Sequence, residues 1–213
     1  MNDITRMKKD SPVPKKQRKV GMKLAYKISI SGAAETGHCS RDAVRKAEDI
    51  GKEVAHRNLI LLTGATTGIP YWAAKGAHNE GGMVIGFSPA ESRVAHVKTY
   101  QLPTDYHDTI IFTGANYVGR NLILTNAGDG MVLVCGRTGS LNEFTINFEN
   151  QKPIGVLEGT GGTADMIREI LEKSYQGFRK VVFSRDPSDL LDKLIAIIEK
   201  EEERKHESKG RVL

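Results

Sequence analysis

An α/β fold is expected: a doubly wound, mostly parallel sheet of about seven strands. Three observations lead to it. From residue 24 onward, apolar runs of strand length alternate with amphipathic segments of helix length. Runs such as "LILLT" are uniformly apolar, as parallel strands covered on both faces tend to be. Glycine-bearing loops follow several runs, where a chain leaving a parallel strand enters a helix.

The elements follow in order. Residues 26–32, "YKISISG", form the first strand. Residues 40–58 form a helix with Ser40 as its N-cap and apolar positions at Val44, Ala47, Ile50 and Val54. Strand 59–63, helix 69–81 and strand 82–88 come next. Residues 89–108 lack periodicity and read as a long irregular loop, a type that is often functional. Then come strand 109–114, helix 117–128, strand 130–135 and helix 139–150. Strand 153–158, helix 163–176, strand 180–184 and helix 186–203 complete the set.

The 213 residues suit one domain with a substantial core. The formal charge of +5 is unevenly placed. Residues 1–23 hold eight Lys/Arg against two Asp, a net of +6, which leaves −1 for the remaining 190. They are expected to be a solvated basic arm, with nonspecific attraction to nucleic acid as the alternative. The domain proper is expected over 24–204, with a tail at 205–213. No apolar run approaches the ~20 residues that span a bilayer, and the arm lacks the apolar middle of a secretion signal, so a cytoplasmic location is expected. Cys39 and Cys135 show neither metal-ligand spacing nor a disulfide framework, and are expected to be reduced thiols.

Four loops after strands carry glycine: 31–40, 63–70, 135–140 and 158–165. Glycine lets backbone N–H groups approach an anion, and a helix N-terminus adds a favourable dipole. The loops contain neither a Walker motif nor a complete G-x-G-x-x-G in the proper context. Candidate ligand residues are Gly32, Gly64, Thr66 and Gly68, together with Gly136, Arg137, Thr138, Gly139 and Ser140. The loop 158–165, "EGTGGTAD", offers a second phosphate contact with Thr163 as N-cap. His38, His96 and His107 read as ordinary surface or loop histidines, and no metal is expected. Tyr71 and Trp72 either pack the core or stack on a base.

"CGRTGSLNE" (135–143) resembles the Pro-Gly-Gly-x-Gly-Thr-x-x-Glu motif of the LOG (Lonely Guy) family. Gly136, Gly139, Ser140 and Glu143 fall on the family's first Gly, third Gly, Thr and Glu. Cys135 stands in place of Pro, and Arg137 in place of the second Gly. Arg120 lands on the family's Arg, and Asp129 on an Asp upstream of the motif. "TGATTGIPYW" is similar to the family's glycine-rich segment, with Gly64 and Gly68 matching while Thr63 and Ala65 replace glycines. The resemblance spans about residues 26–175 and extends to divergent Rossmann-like relatives that include molybdenum-cofactor carrier proteins.

In that family the implied reaction cleaves the N-glycosidic bond of a nucleoside 5′-monophosphate. The resemblance implies Glu143 and Arg120 as the catalytic pair. A carboxylate there stabilises the developing oxocarbenium ion and orients water, while the arginine orients Glu143 or holds the base. Arg137 either blocks the phosphate or adds a charge-assisted bond to it. The alternative is a non-catalytic carrier or sensor of a nucleotide or pterin-type ligand. The family also implies a homo-oligomer, and no resident cofactor is expected.

Overall fold

A computed structural model describes residues 24–210. The basic arm, residues 1–23, lies outside the described residues. The strands are β1 Lys27–Gly32, β2 Ile60–Thr63, β3 Met83–Ser88, β4 Thr109–Phe112, β5 Gly130–Val134, β6 Ile154–Leu157 and β7 Val181–Ser184. The helices are α1 Ala43–His56, α2 Ile69–Asn79, α3 Asn116–Ala127, α4 Thr138–Glu149, α5 Ile167–Lys173 and α6 Pro187–Gly210.

The seven strands lie in the order β4-β3-β2-β1-β5-β6-β7. All six neighbouring pairs are parallel, so the sheet is wholly parallel. β5 "GMVLV" sits near the centre and is buried at every position. Each large apolar side chain removed from water there contributes roughly 1.5–3 kcal/mol. Helices cover both faces. α1, α2 and α6 close one core around Ile28, Ile30 and Val132, and α4 and α5 close another around Met131, Leu133 and Phe144.

Several elements differ from expectation. α1 begins at Ala43 with Asp42 at its N-cap, because the Ser40 hydroxyl donates to Asp42 Oδ1 at 2.8 Å instead of capping. The stretch 89–108 is partly ordered, with a π-helix at Ala95–Thr99. The predicted helix 163–176 is a 3₁₀ turn, Gly162–Met166, followed by the shorter α5. α6 continues to Gly210, beyond the expected boundary.

Strand order turns around between β1 and β5, since successive connections run one way from β1 to β4 and the other way from β5 to β7. A crevice opens at the carboxyl ends of strands at such a reversal. The loops after β1 and β5 are therefore the ones that meet.

Candidate ligand-binding site

A cleft of about 410 Å³ opens at this reversal. Its floor and walls come from the ends of β1 and β2, from α3, and from the first turn of α4. Of the residues singled out in the sequence, Gly32, Gly64, Thr66 and Arg120 line it on one side. Arg137, Thr138, Gly139, Ser140 and Glu143 line it on the other. Gly68 and Gly136 shape the backbone next to the cleft without lining it. α4 supplies backbone N–H groups at Thr138, Gly139 and Ser140, the positions of a helix that have no intrahelical partner. They make a ready anion site.

Arg120 is 5% exposed, which rules out the surface cation that an isolated arginine would suggest. Its Nη1 donates to the Phe87 carbonyl at 3.2 Å, and its buried Nε has no partner. Burial holds its pKa below the usual arginine value, against the opposing pull of Glu143 and Tyr117. The space for this guanidinium exists because residue 64 has no side chain. A Cβ on Gly64 would lie 1.9 Å from Arg120 Nη1.

Glu143 is 7% exposed and faces the same cleft. Burial pushes its carboxyl above the ordinary glutamate value, while the Arg120 charge and the Ser31 hydroxyl pull it back. The Ser31 hydroxyl donates to Glu143 Oε2. The Asn121 amide, in the orientation that satisfies its neighbours, donates to Oε1 at 3.0 Å and to the Tyr117 carbonyl at 3.0 Å. Ser31 and Asn121 were not singled out in the sequence. A signal was present for the serine: Ser29 and Ser31 share one face of β1 between buried isoleucines, and both are buried.

Arg137 lines the cleft beside the first turn of α4. Its guanidinium crosses to the loop after β1 and pairs with Glu35 at 2.7 Å, with its side chain 55% exposed. Gly136 before it has φ +98°, and a Cβ there would meet Thr163 Oγ1 at 2.5 Å. Cys135 has φ +52°. The proline that the LOG motif carries at this place is locked near −65°, so the entry to this loop follows a different path.

Two glycine amides of the loop 158–165 are taken up inside the loop itself. Gly159 and Gly161 N–H groups donate to the Asp165 carboxylate at 2.7 and 3.0 Å. Thr163 is no N-cap; it lies inside the 3₁₀ turn, and its hydroxyl donates to the Cys135 carbonyl at 3.3 Å. Asp129 also stands away from the cleft and pairs with Lys27 at 2.8 Å. Tyr71 packs edge-on to Tyr106 at 5.3 Å and Trp72 lies under Lys75, so the aromatic pair does not line the cleft.

His96 is fully buried, held by Ser88 Oγ at 2.8 Å and the Pro103 carbonyl at 2.9 Å. His107 Nε2 meets Thr63 Oγ1 at 2.8 Å, and burial lowers its pKa. The reduced-thiol expectation is overturned. Cys39 and Cys135 form a disulfide across 96 residues, because each follows one of two paired strands. His38 lies beside them, its Nε2 3.5 Å from Cys135 Sγ.

Comparison with known proteins agrees with this architecture. The sequence model of the SLOG cluster4 family matches residues 25–191, and the chain belongs to that family. An uncharacterized protein of Archaeoglobus fulgidus is 26% identical over 132 residues, 62% of this chain and 82% of its own length. Among solved structures, the molybdenum cofactor binding protein of Rippkaea orientalis superposes with a TM-score of 0.69 at 23% identity. That match covers 84% of this chain and 99% of the other. The molybdenum cofactor carrier protein of Chlamydomonas reinhardtii superposes with a TM-score of 0.62 at 25% identity, covering 81% and 99%. Among the described residues, no helix is long and apolar enough to cross a membrane.

Proposed function

We propose that this member of the SLOG cluster4 family binds a phosphate-bearing small molecule of nucleotide or pterin type at the strand reversal, and retains it as a carrier or sensor. One observation carries the reading. Arg120 is a buried cation with an unpartnered Nε, lining the same cleft as the first turn of α4. A buried charge of this kind is costly unless an anion or a set of acceptors completes it. In this reading the phosphate sits on the Thr138–Ser140 amides and the Arg120 guanidinium completes the charge pairing. The names of the two solved relatives support including the pterin class. For such a ligand the α4 amides and Arg120 would hold the phosphate end, and the metal would travel as cargo.

A second reading, hydrolysis of a nucleoside 5′-monophosphate to free base and ribose 5-phosphate, is favoured by Glu143. Its carboxylate faces the cleft and would stabilise an oxocarbenium ion on a ribose whose phosphate is held by α4. The left-handed Cys135 in place of the motif's proline favours retention over cleavage, since it alters the entry to the loop on which the phosphate would be positioned.

A thermal-shift panel of nucleoside monophosphates and phosphorylated pterins, run beside a free-base release assay, separates the readings. Retention predicts stabilisation that Arg120→Met abolishes, with no base released. Release of base that disappears in Glu143→Gln would establish the hydrolase. Absence of stabilisation by any phosphate ligand would refute both.

The proposal extends to a cytoplasmic homo-oligomer. Val118 and Leu122 on α3, 75% and 48% exposed, give the helix that carries Arg120 an apolar outer face suited to a second copy.

A further inference from the structure

We propose that His38, Cys39 and Cys135 form a site for a soft cation of the zinc class when the disulfide is reduced. The donor atoms of the three residues all lie within 4.8 Å of one another. A tetrahedral zinc ion with Zn–S near ~2.3 Å and Zn–N near ~2.0 Å sets its sulfur and nitrogen ligands about 3.5 Å apart. His38 Nε2 already stands 3.5 Å from Cys135 Sγ. The two sulfurs must separate from a covalent bond to the roughly 3.7 Å edge of the same tetrahedron.

The backbone positions of both cysteines are held by contacts that do not depend on the S–S bond. Cys135 N–H donates to Thr160 Oγ1 at 2.8 Å, and its carbonyl accepts from Ala164 N–H at 2.7 Å. Cys39 N–H donates to the Thr36 carbonyl at 3.0 Å, and Ser40 N–H donates to the Thr160 carbonyl at 3.0 Å. Cys39 also bridges to Gly161. Reduction therefore leaves the two thiols facing each other. His38 Nε2, 3.2 Å from the Gly136 carbonyl, exchanges that contact for the metal while its other ring nitrogen carries the proton.

The steps balance. Two molecules of a low-molecular-weight thiol reduce the disulfide to two Cys thiols and leave as their own disulfide, a transfer of two electrons and two protons. A divalent cation then displaces both thiol protons and binds two thiolates and one neutral imidazole. Three protein ligands leave the fourth position to water. Disulfide and metal are mutually exclusive at this place, so occupancy follows the redox state.

The test uses the full chain, reduced with a phosphine, freed of reductant, and checked for fold by far-UV circular dichroism. Zn²⁺ uptake is measured by competition with a chromophoric chelator, and Co²⁺ is used as the spectroscopic probe. One equivalent per chain is expected, with a thiolate-to-cobalt charge-transfer band, and no uptake after reoxidation. Cys39→Ser and Cys135→Ser should each abolish the band, and His38→Ala should weaken Zn²⁺ by at least roughly tenfold. Reduced chain without stoichiometric uptake, folded or not, would overturn the proposal. Uptake that survives either serine variant or reoxidation would do the same.

Discussion

Gly64→Ala tests how Arg120 is housed. The added methyl would lie 1.9 Å from Arg120 Nη1, 2.8 Å from Cζ and 3.1 Å from Nη2. The guanidinium must shift and give up its 3.2 Å bond to the Phe87 carbonyl. A hydrogen bond from a charged group is worth about 1.5–3 kcal/mol. Residue 64 is not in the left-handed region, so alanine also removes freedom from the unfolded chain, a gain of about 0.4–1 kcal/mol. The net loss is therefore about 1–2 kcal/mol, read by urea denaturation. The decisive arm is the double variant. In an Arg120→Ala background the obstruction is gone, and Gly64→Ala should become neutral or stabilising. Equal costs in both backgrounds would show that Gly64 is required for some reason other than the arginine, and the account of this wall would fail.

Glu143 has its carboxyl raised above the ordinary value of 4.5, so its ionisation costs stability. The stability it contributes is fully present below that value and is lost as pH rises through the raised one. Glu143→Gln should therefore flatten the fall in stability above pH 4.5, measured by denaturation across a pH series; parallel curves would contradict the burial effect. Arg137→Gly removes only an exposed pair with Glu35 and should change stability by less than about 1 kcal/mol, with phosphate-ligand stabilisation retained in thermal shift. Loss of ligand binding there would place Arg137 on the ligand after all. Leu122→Glu should shift the sedimentation mass of the protein toward a monomer, and an unchanged mass would remove α3 from the proposed interface. A chain lacking residues 1–23 should bind phosphate ligands as the full chain does, since their net charge of +6 lies in the arm and the cleft is built from residue 30 onward.

The order and type of the elements were legible because they rest on local periodicity. Ile28 and Ile30 alternate with serines in β1, and "GMVLV" can satisfy its side chains only inside a covered sheet. The spacing of Arg120, Gly136, Gly139 and Glu143 likewise carried the family resemblance, and eleven candidate residues from four segments came to one cleft or its border. The loop 158–165 read as another phosphate cradle because its glycines were visible, while Asp165, which takes up the amides of Gly159 and Gly161, was not recognised as their partner.

What the sequence determined by itself, then, was a succession of strands and helices and the residues with suitable chemistry at their ends. Only the tertiary structure decided which ends meet. The Cys39–Cys135 bond spans 96 residues, Ser31 reaches Glu143 across 112, and Arg137 finds Glu35 across 102. All three join the β1 side of the site to the β5 side, and they exist because those two strands are neighbours at the point where the sheet reverses. Strand pairing is a choice among distant partners with similar apolar surfaces. It is settled by how the helices cover the whole sheet, a physical condition that no short stretch of sequence contains.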